Sequence, residues 1–452
     1  MVVLLVILSL IILLYTRSLN YNWMPDDAVP RDRYLYDVPD IFPSYNFLRQ
    51  KPHKRVRIWC IANHCINTSF IYVLFGWKAS LIFAVHPVAV EMTCWITGNY
   101  YAGTTTLILA AYLCIQQFGI YGVIPAIIFY MAALYSTITA LGFPIFYLMT
   151  GNAIGLSMFI PFIQYFCSSR FKKGMKIRKE SKSRDFDKLE FKKLFFMTKI
   201  VGEYIKIFFL PLKMGLFRPF GEDVIREKKF YDRDCRLDMV FWISLAICLT
   251  VFIIGVHVNL LATMWFFTMI APHSQFKVYG QSSPCDRYLY LPMIGLCILV
   301  SYLPNPIFFT LIGVYIYKTY SYIPAWKNLE SLYKHQTVEF PNRTLSHADY
   351  SQYLITEYTS QNSPIIDANR INEALYHTNI ALKQSKDNPD FERYEIYSNS
   401  VCVMLAIQNI DDAIKFTRKA IDIGKNQVNS TYLIKIFEEQ ELDLINLKRE
   451  GR

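Results

Sequence analysis

The sequence predicts an all-α protein: a polytopic transmembrane helical bundle of about eleven helices over residues 1–320, followed by a small α-helical domain over residues 321–452. Three observations predict it. Hydrophobic residues make up 53% of the chain and charged residues only 18%, which is less charge than a soluble chain of this size carries. Apolar runs of membrane-crossing length recur through the first 320 residues. Beyond them the composition turns polar and a helical repeat begins.

The apolar runs lie near residues 1–16, 56–75, 79–97, 102–119, 121–138, 140–167, 194–212, 239–257, 259–272, 287–303 and 305–320. The first has no basic flank before it, and "LLYTRSLN" after it offers no small-residue cleavage pattern, so an uncleaved helix is expected rather than a signal peptide. Pro87 and Glu91 interrupt the third run, and Lys199, Glu203 and Lys206 stripe the seventh. Charge at membrane depth is costly, so these two helices are expected to face a cavity or the bilayer surface.

A net charge of +11 raises the question of nucleic acid. The segment "RFKKGMKIRKESKSRDFDKLEFKK" answers it, because its eleven Lys/Arg against four Asp/Glu supply most of that charge in one loop between the sixth and seventh runs. Such a loop marks the cytoplasmic side; nucleic-acid binding loses its support. Counting crossings from it places the N-terminus inside and the region after residue 320 outside. The ten cysteines are scattered and mostly fall within apolar runs, so no metal site or disulfide framework is spelled out. Cys235 and Cys285 lie in polar loops on one side and are able to pair only if their backbones are close.

In the polar region "NEALYHTNIALKQ" and "DDAIKFTRKAIDI" both carry Ala-x6-Ala, with Ala374 and Ala381 in the first and Ala413 and Ala420 in the second. Small residues seven apart share a helix face and let a neighbour approach closely, as in helical-hairpin repeats of the tetratricopeptide (TPR) type. "NRT" at Asn342 and "NST" at Asn429 are glycosylation acceptors if this side is a secretory lumen.

Four polar clusters interrupt the apolar background: Asp26 with Asp27; His86, Pro87 and Glu91 in "HPVAVE"; Asp286, Arg287, Tyr288 and Tyr290 in "SPCDRYLYLP"; and Asn63, His64 and Asn67 in "ANHCIN". If they meet in one outward cavity, the carboxylates can deprotonate a hydroxyl or hold a divalent cation, while Arg287 and His86 bind an anionic phosphate. Two carboxylates without further ligands at metal spacing are not themselves a metal site.

In this order "MPDDAV", "LIFAVHPVAVEMTCWITGNY", "FFLPLKM" and "PCDRYLYLPMIGLCILV", followed by "AWKNLESLYKHQTVEFPN" and the repeat helices, resemble the transmembrane-and-TPR (TMTC) proteins of the GT-C class of polytopic glycosyltransferases. The resemblance implies a GT-C fold and an integral membrane glycosyltransferase that moves a mannose-like sugar from a polyprenyl- or dolichyl-phosphate donor to a protein or glycan hydroxyl. It makes Asp26 and Asp27 catalytic, and His86, Glu91, Asp286 and Arg287 the residues that hold donor phosphate or orient the site. It implies O-mannosylation in the endoplasmic reticulum membrane for a secretory-pathway protein, and a bacterial or organellar inner membrane otherwise. Membrane lipid, lipid-linked sugar and a protein held by the TPR-like domain are the expected partners. Asn67 and Asn99 stand where relatives commonly carry His and Arg, so a non-catalytic scaffold subunit of a larger membrane complex is the alternative.

Overall fold

The structure, a computed structural model, describes residues 1–22, 53–168, 172, 191–216, 218, 235–274, 284–360, 368–387, 394–427 and 431–449. Every regular element among them is helical. The chain divides into two compact units, the first reaching Leu329 and the second running from Glu330 to Arg452, with Arg218 grouped with the second.

In the first unit α1 (Val2–Tyr15) is followed by α2 (His53–Phe75), α3 (Trp77–Val85), α4 (Ala89–Cys94), α5 (Asn99–Phe118) and α6 (Val123–Ser136). Then come α7 (Phe143–Thr150), α8 (Phe159–Cys167), α9 (Lys192–Phe209), α10 (Met239–Val258), α11 (Leu260–Ile270), α12 (Asp286–Leu289), α13 (Met293–Val300) and α14 (Asn305–Tyr322). All eleven apolar runs are thus helical over much of their length. Among the described residues four helical segments are long and apolar enough to cross a membrane: Val2–Asn20, Lys54–Phe75, Asn99–Ser136 and Met239–Val258. The third, sixth and tenth runs are each cut into two short helices.

Local chemistry explains the cuts. His86 precedes Pro87 and is held extended at φ −69°, ψ 132°, because the proline ring clashes with a helical preceding residue; α3 therefore stops there and α4 restarts. Asp238 caps α10 by accepting the Phe241 N–H at 2.9 Å, and Asn259 caps α11 by accepting the Ala262 N–H at 2.9 Å. The stripe of the seventh run resolves into a buried Lys199 that donates to Asp238 at 2.7 Å, and an exposed Lys206–Glu203 pair.

The core of this unit is aromatic. Trp265 on α11 is surrounded by Phe75, Tyr112, Phe143 and Phe146, and its indole N–H donates to the Leu291 carbonyl at 3.1 Å. Aromatic edges and faces pack densely without demanding further polar partners. Gly295 on α13 lies so close to α11 that a Cβ there would overlap the Ala262 carbonyl oxygen, the close backbone approach that small residues permit between apolar helices. At the other end of the unit, the Arg17 guanidinium donates to the Tyr320 carbonyl and covers its ring, and the Asn22 N–H donates to the Lys327 carbonyl at 3.0 Å.

The second unit contains α15 (Leu329–Glu339), α16 (Thr344–Ser360), α17 (Ala368–Asp387), α18 (Tyr394–Ala406), α19 (Ile410–Gln427) and α20 (Thr431–Arg449). Sequence neighbours α16 and α17, then α18 and α19, pack as pairs, and α20 closes on α19. Ala374, Ala381, Ala413 and Ala420 have no exposed surface, so the small-residue positions are where helices meet. Tyr350, Leu354, Val401 and Met404 fill the core beside Ala374 and Ala413. The first unit reaches Leu329, a few residues after the apolar α14 ends at Tyr322.

Candidate functional site

Two polar clusters occupy the interior of the first unit. The first joins the "HPVAVE" and "DRYLYLP" segments. Glu91 on α4 has no exposed surface and accepts two hydrogen bonds from one residue: the Arg287 side-chain Nη1–H at 2.7 Å and the Arg287 main-chain N–H at 2.9 Å. A buried carboxylate is tolerable only when paired and hydrogen-bonded, and this one is both. The guanidinium lies over the rings of Trp95 and Tyr288, 5.5 and 5.0 Å from their centroids, a stacking that holds a planar cation in place. Asp286 is buried beside the pair. Tyr288 stacks on His273 with centroids 4.1 Å apart, and His273 Nε2 meets the Thr139 hydroxyl at 2.7 Å.

The second cluster is a chain of amides and hydroxyls between α2 and α5. Asn63 and Asn67, four residues apart, share a face of α2. The Thr106 hydroxyl lies 2.7 Å from Asn63 Oδ1 and 2.8 Å from Asn67 Oδ1. Asn63 Nδ2 donates to Asn99 Oδ1 at 3.0 Å, and Asn99 Nδ2 donates to the Met92 carbonyl at 3.2 Å. Asn67 Nδ2 donates to the Ala102 carbonyl at 2.9 Å. Next to it, His64 Nε2 donates to the Ala84 carbonyl at 3.1 Å, which leaves Nδ1 to accept the Tyr290 hydroxyl at 2.7 Å. In this arrangement the ring is neutral, its two nitrogens in opposite roles.

His86 stands apart from both. Its Nε2 donates to the Phe208 carbonyl at 3.0 Å, its Nδ1 accepts the Val88 N–H at 3.2 Å, and its ring stacks on Phe208 and meets Tyr315 edge-on. Both nitrogens are engaged with main chain, so neither has a hydrogen bond to offer a phosphate. Of the expected site residues, then, the structure brings Glu91, Asp286 and Arg287 together and seats His86 in a separate, saturated environment. Asp26 and Asp27 lie outside the described residues. Cys235 and Cys285 are both buried, and the Cys285 thiol lies 3.7 Å from the Leu216 carbonyl. Among the described residues no group of three or more His, Cys, Asp or Glu side chains could hold a metal ion.

Trp95, Tyr101 and His273 belong to the Glu91–Arg287 cluster and were not singled out by sequence. The one available signal was His273 itself, an ionisable group ending an apolar run. Thr106 was invisible, since a threonine in an apolar helix usually bonds its own backbone.

No family model, curated protein or solved structure matches the chain.

Proposed function

We propose that the chain is a multi-pass membrane protein that uses a GT-C-like helical plan as a structural subunit, with its C-terminal helical unit binding a partner protein. The observation that carries this reading is the closed network around Asn63, Asn67, Asn99 and Thr106. Where the resemblance expects a proton carrier and a phosphate ligand, this chain has amides, which titrate at no ordinary pH and here satisfy one another and the backbone. Amide networks hold apolar helices together by hydrogen bonds that water does not contest. The paired helices of the second unit supply the stacked surface on which repeat proteins bind others.

The test is purification from mild-detergent extracts. The structural reading expects the same partners to co-purify in fixed ratio, and Asp26→Asn with Asp27→Asn to leave that assembly intact. A chain that purifies alone, transfers sugar from a polyprenyl-phosphate donor, and loses that transfer in the double variant sinks it.

That outcome would establish the second reading, an integral membrane glycosyltransferase. Its support is the Arg287 guanidinium, fixed over Trp95 and Tyr288 in an apolar interior, a pre-positioned cation of the kind that stabilises a phosphate leaving group. On this reading Asp26 or Asp27 acts as base or holds a divalent cation, Arg287 holds donor phosphate, and Glu91 and Asp286 orient it. His86 would contribute by tying Pro87 and α4 to the end of α9.

A further inference from the structure

A groove of about 800 Å³ runs along the first unit between α1 and α2, with Leu113 of α5 at its floor. Its walls include Ile12 and Leu19 from one side and Ile58, Ile66 and Val73 from the other. Polar atoms on its walls are already bonded locally: the Thr16 hydroxyl donates to the Ile12 carbonyl, and the Ser69 hydroxyl to the Cys65 carbonyl at 2.9 Å. The wall residues Ile12, Ile58, Ile66 and Val73 are among the exposed large hydrophobics. The groove is therefore dry in character and open along its side. From Ile58 to Val73 it extends along α2 by roughly 22 Å at the helical rise, most of the ~30 Å hydrocarbon thickness of a bilayer.

The Ile58 end is strongly basic. Lys54 and Arg55 are exposed one turn before Ile58, and the next residue, Arg57, is wholly buried. Arg57 Nη2 donates to the Asn22 carbonyl at 2.6 Å, yet its Nε and Nη1 have no hydrogen-bond partner among the described residues. A buried guanidinium with donors unpaired and no ion pair to a carboxylate among the described residues carries a large desolvation cost. An anion at the groove mouth would offset it.

We propose that this groove is a binding site for an anionic glycerophospholipid of the bilayer, with its phosphate head at the Lys54, Arg55 and Arg57 end and its hydrocarbon lying along α1 and α2. Side access commits the site to a bulk lipid: a groove open to the bilayer fills by mass action from the most abundant chain of matching charge. The inference rests on the membrane placement proposed above, and alkaline extraction of membranes tests that placement separately.

The experiment reconstitutes the full chain in nanodiscs of dioleoylphosphatidylglycerol or dioleoylphosphatidylcholine. Lipid retained after transfer to detergent is then identified by native mass spectrometry. The expected result is about one retained phosphatidylglycerol per chain and little phosphatidylcholine. Removing two surface charges in Lys54→Gln/Arg55→Gln should lower retention about tenfold or more. Ile66→Trp, which fills the groove from an exposed position, should abolish it, while Leu249→Trp on α10 leaves it unchanged. Circular dichroism confirms that each variant is folded. Equal retention of both lipids, retention unaffected by Ile66→Trp, or preferential retention of an added polyprenyl phosphate overturns the proposal. So does a chain that stays in membranes through alkaline extraction yet holds no lipid.

Discussion

Arg287 reaches Glu91 twice, once through its side chain at 2.7 Å and once through its own main-chain N–H at 2.9 Å. The carboxylate thus fixes both the position of α12 and the direction of the guanidinium. Removing one member of a buried pair strands the other as an uncompensated charge, at a cost of about 3–5 kcal/mol. Arg287→Leu and Glu91→Leu should each lower the thermal unfolding midpoint of the detergent-solubilised protein sharply. The double variant should recover much of the loss, because it leaves no lone charge behind. A double variant as unstable as the sum of the singles would show that the two residues stabilise the fold independently, which refutes the account of mutual neutralisation.

The amide network makes a second demand. Asn63→Leu removes the acceptor of one Thr106 hydrogen bond and the donor to Asn99 Oδ1, and an orphaned polar group inside a protein costs about 1–3 kcal/mol. Asn63→Leu combined with Thr106→Val and Asn99→Leu removes most of the network's polar atoms together, leaving Asn67 Oδ1 without its Thr106 donor, and should still be milder per substitution. Thermal midpoints of the single and triple variants decide the matter.

In the second unit His347 and His377 meet Nδ1 to Nδ1 at 2.8 Å, with His347 Nε2 donating to the Pro341 carbonyl at 3.0 Å. His347 Nδ1 is therefore the acceptor and His377 the donor. Burial pushes the pKa of both imidazoles down, and His377, also facing His347, falls from 6.5 to about 4. Groups with a lowered folded pKa bind fewer protons than the unfolded chain does, so stability is intact at neutral pH and declines as pH falls from about 6.5 towards 4. Tyr350, Glu373 and Lys334 surround His377, and the opposed charges of Glu373 and Lys334 act on it in opposite senses. Amide exchange of segment 344–387 in the full chain should accelerate across that window. His377→Asn should flatten the response, and an exchange rate that ignores pH after correction for intrinsic chemistry refutes the account.

The small-residue positions predict overpacking. Ala381 has no exposed surface and sits against Leu345, Ala348 and Ile396, so Ala381→Leu should cost about 1–3 kcal/mol. Tyr376→Leu, an exposed change on the same helix, should cost little. Protease resistance of the second unit distinguishes them.

Gly295→Ala tests the close approach of α13 to α11 in the same way. A methyl group there overlaps the Ala262 carbonyl oxygen, and a backbone contact cannot swing aside as a side chain does. The variant should lose stability well beyond the typical surface substitution of about 0.5 kcal/mol or less, whereas Gly313→Ala, with open space around its Cβ position, should be neutral.

Hydropathy located nearly every helix of the first unit, since the eleven apolar runs match helical segments. It did not give their lengths, because length depends on local breaks. Pro87 showed one of these breaks, while the break between α12 and α13 around Tyr290–Pro292 lay inside a run that reads as continuous. The meeting of "HPVAVE" with "DRYLYLP" was legible as two polar interruptions in apolar sequence, and the Glu91–Arg287 pair joins them across 196 positions. The environment of His86 was not legible, because sequence shows a titratable side chain but not that backbone groups engage both its nitrogens. Arg57 and the His347–His377 pair were missed because nothing local marks them; their character comes from segments 35 and 30 residues away.

The latch between Arg17 and Tyr320 spans 303 positions, and that separation dictates an order of events during synthesis. The first helix emerges from the ribosome long before its acceptor exists, so it has to wait unlatched until the segment that carries Tyr320 has been made. A product released before residue 320 would keep an apolar first helix whose terminal guanidinium lacks this acceptor, so truncation exposes a charge that the complete chain covers.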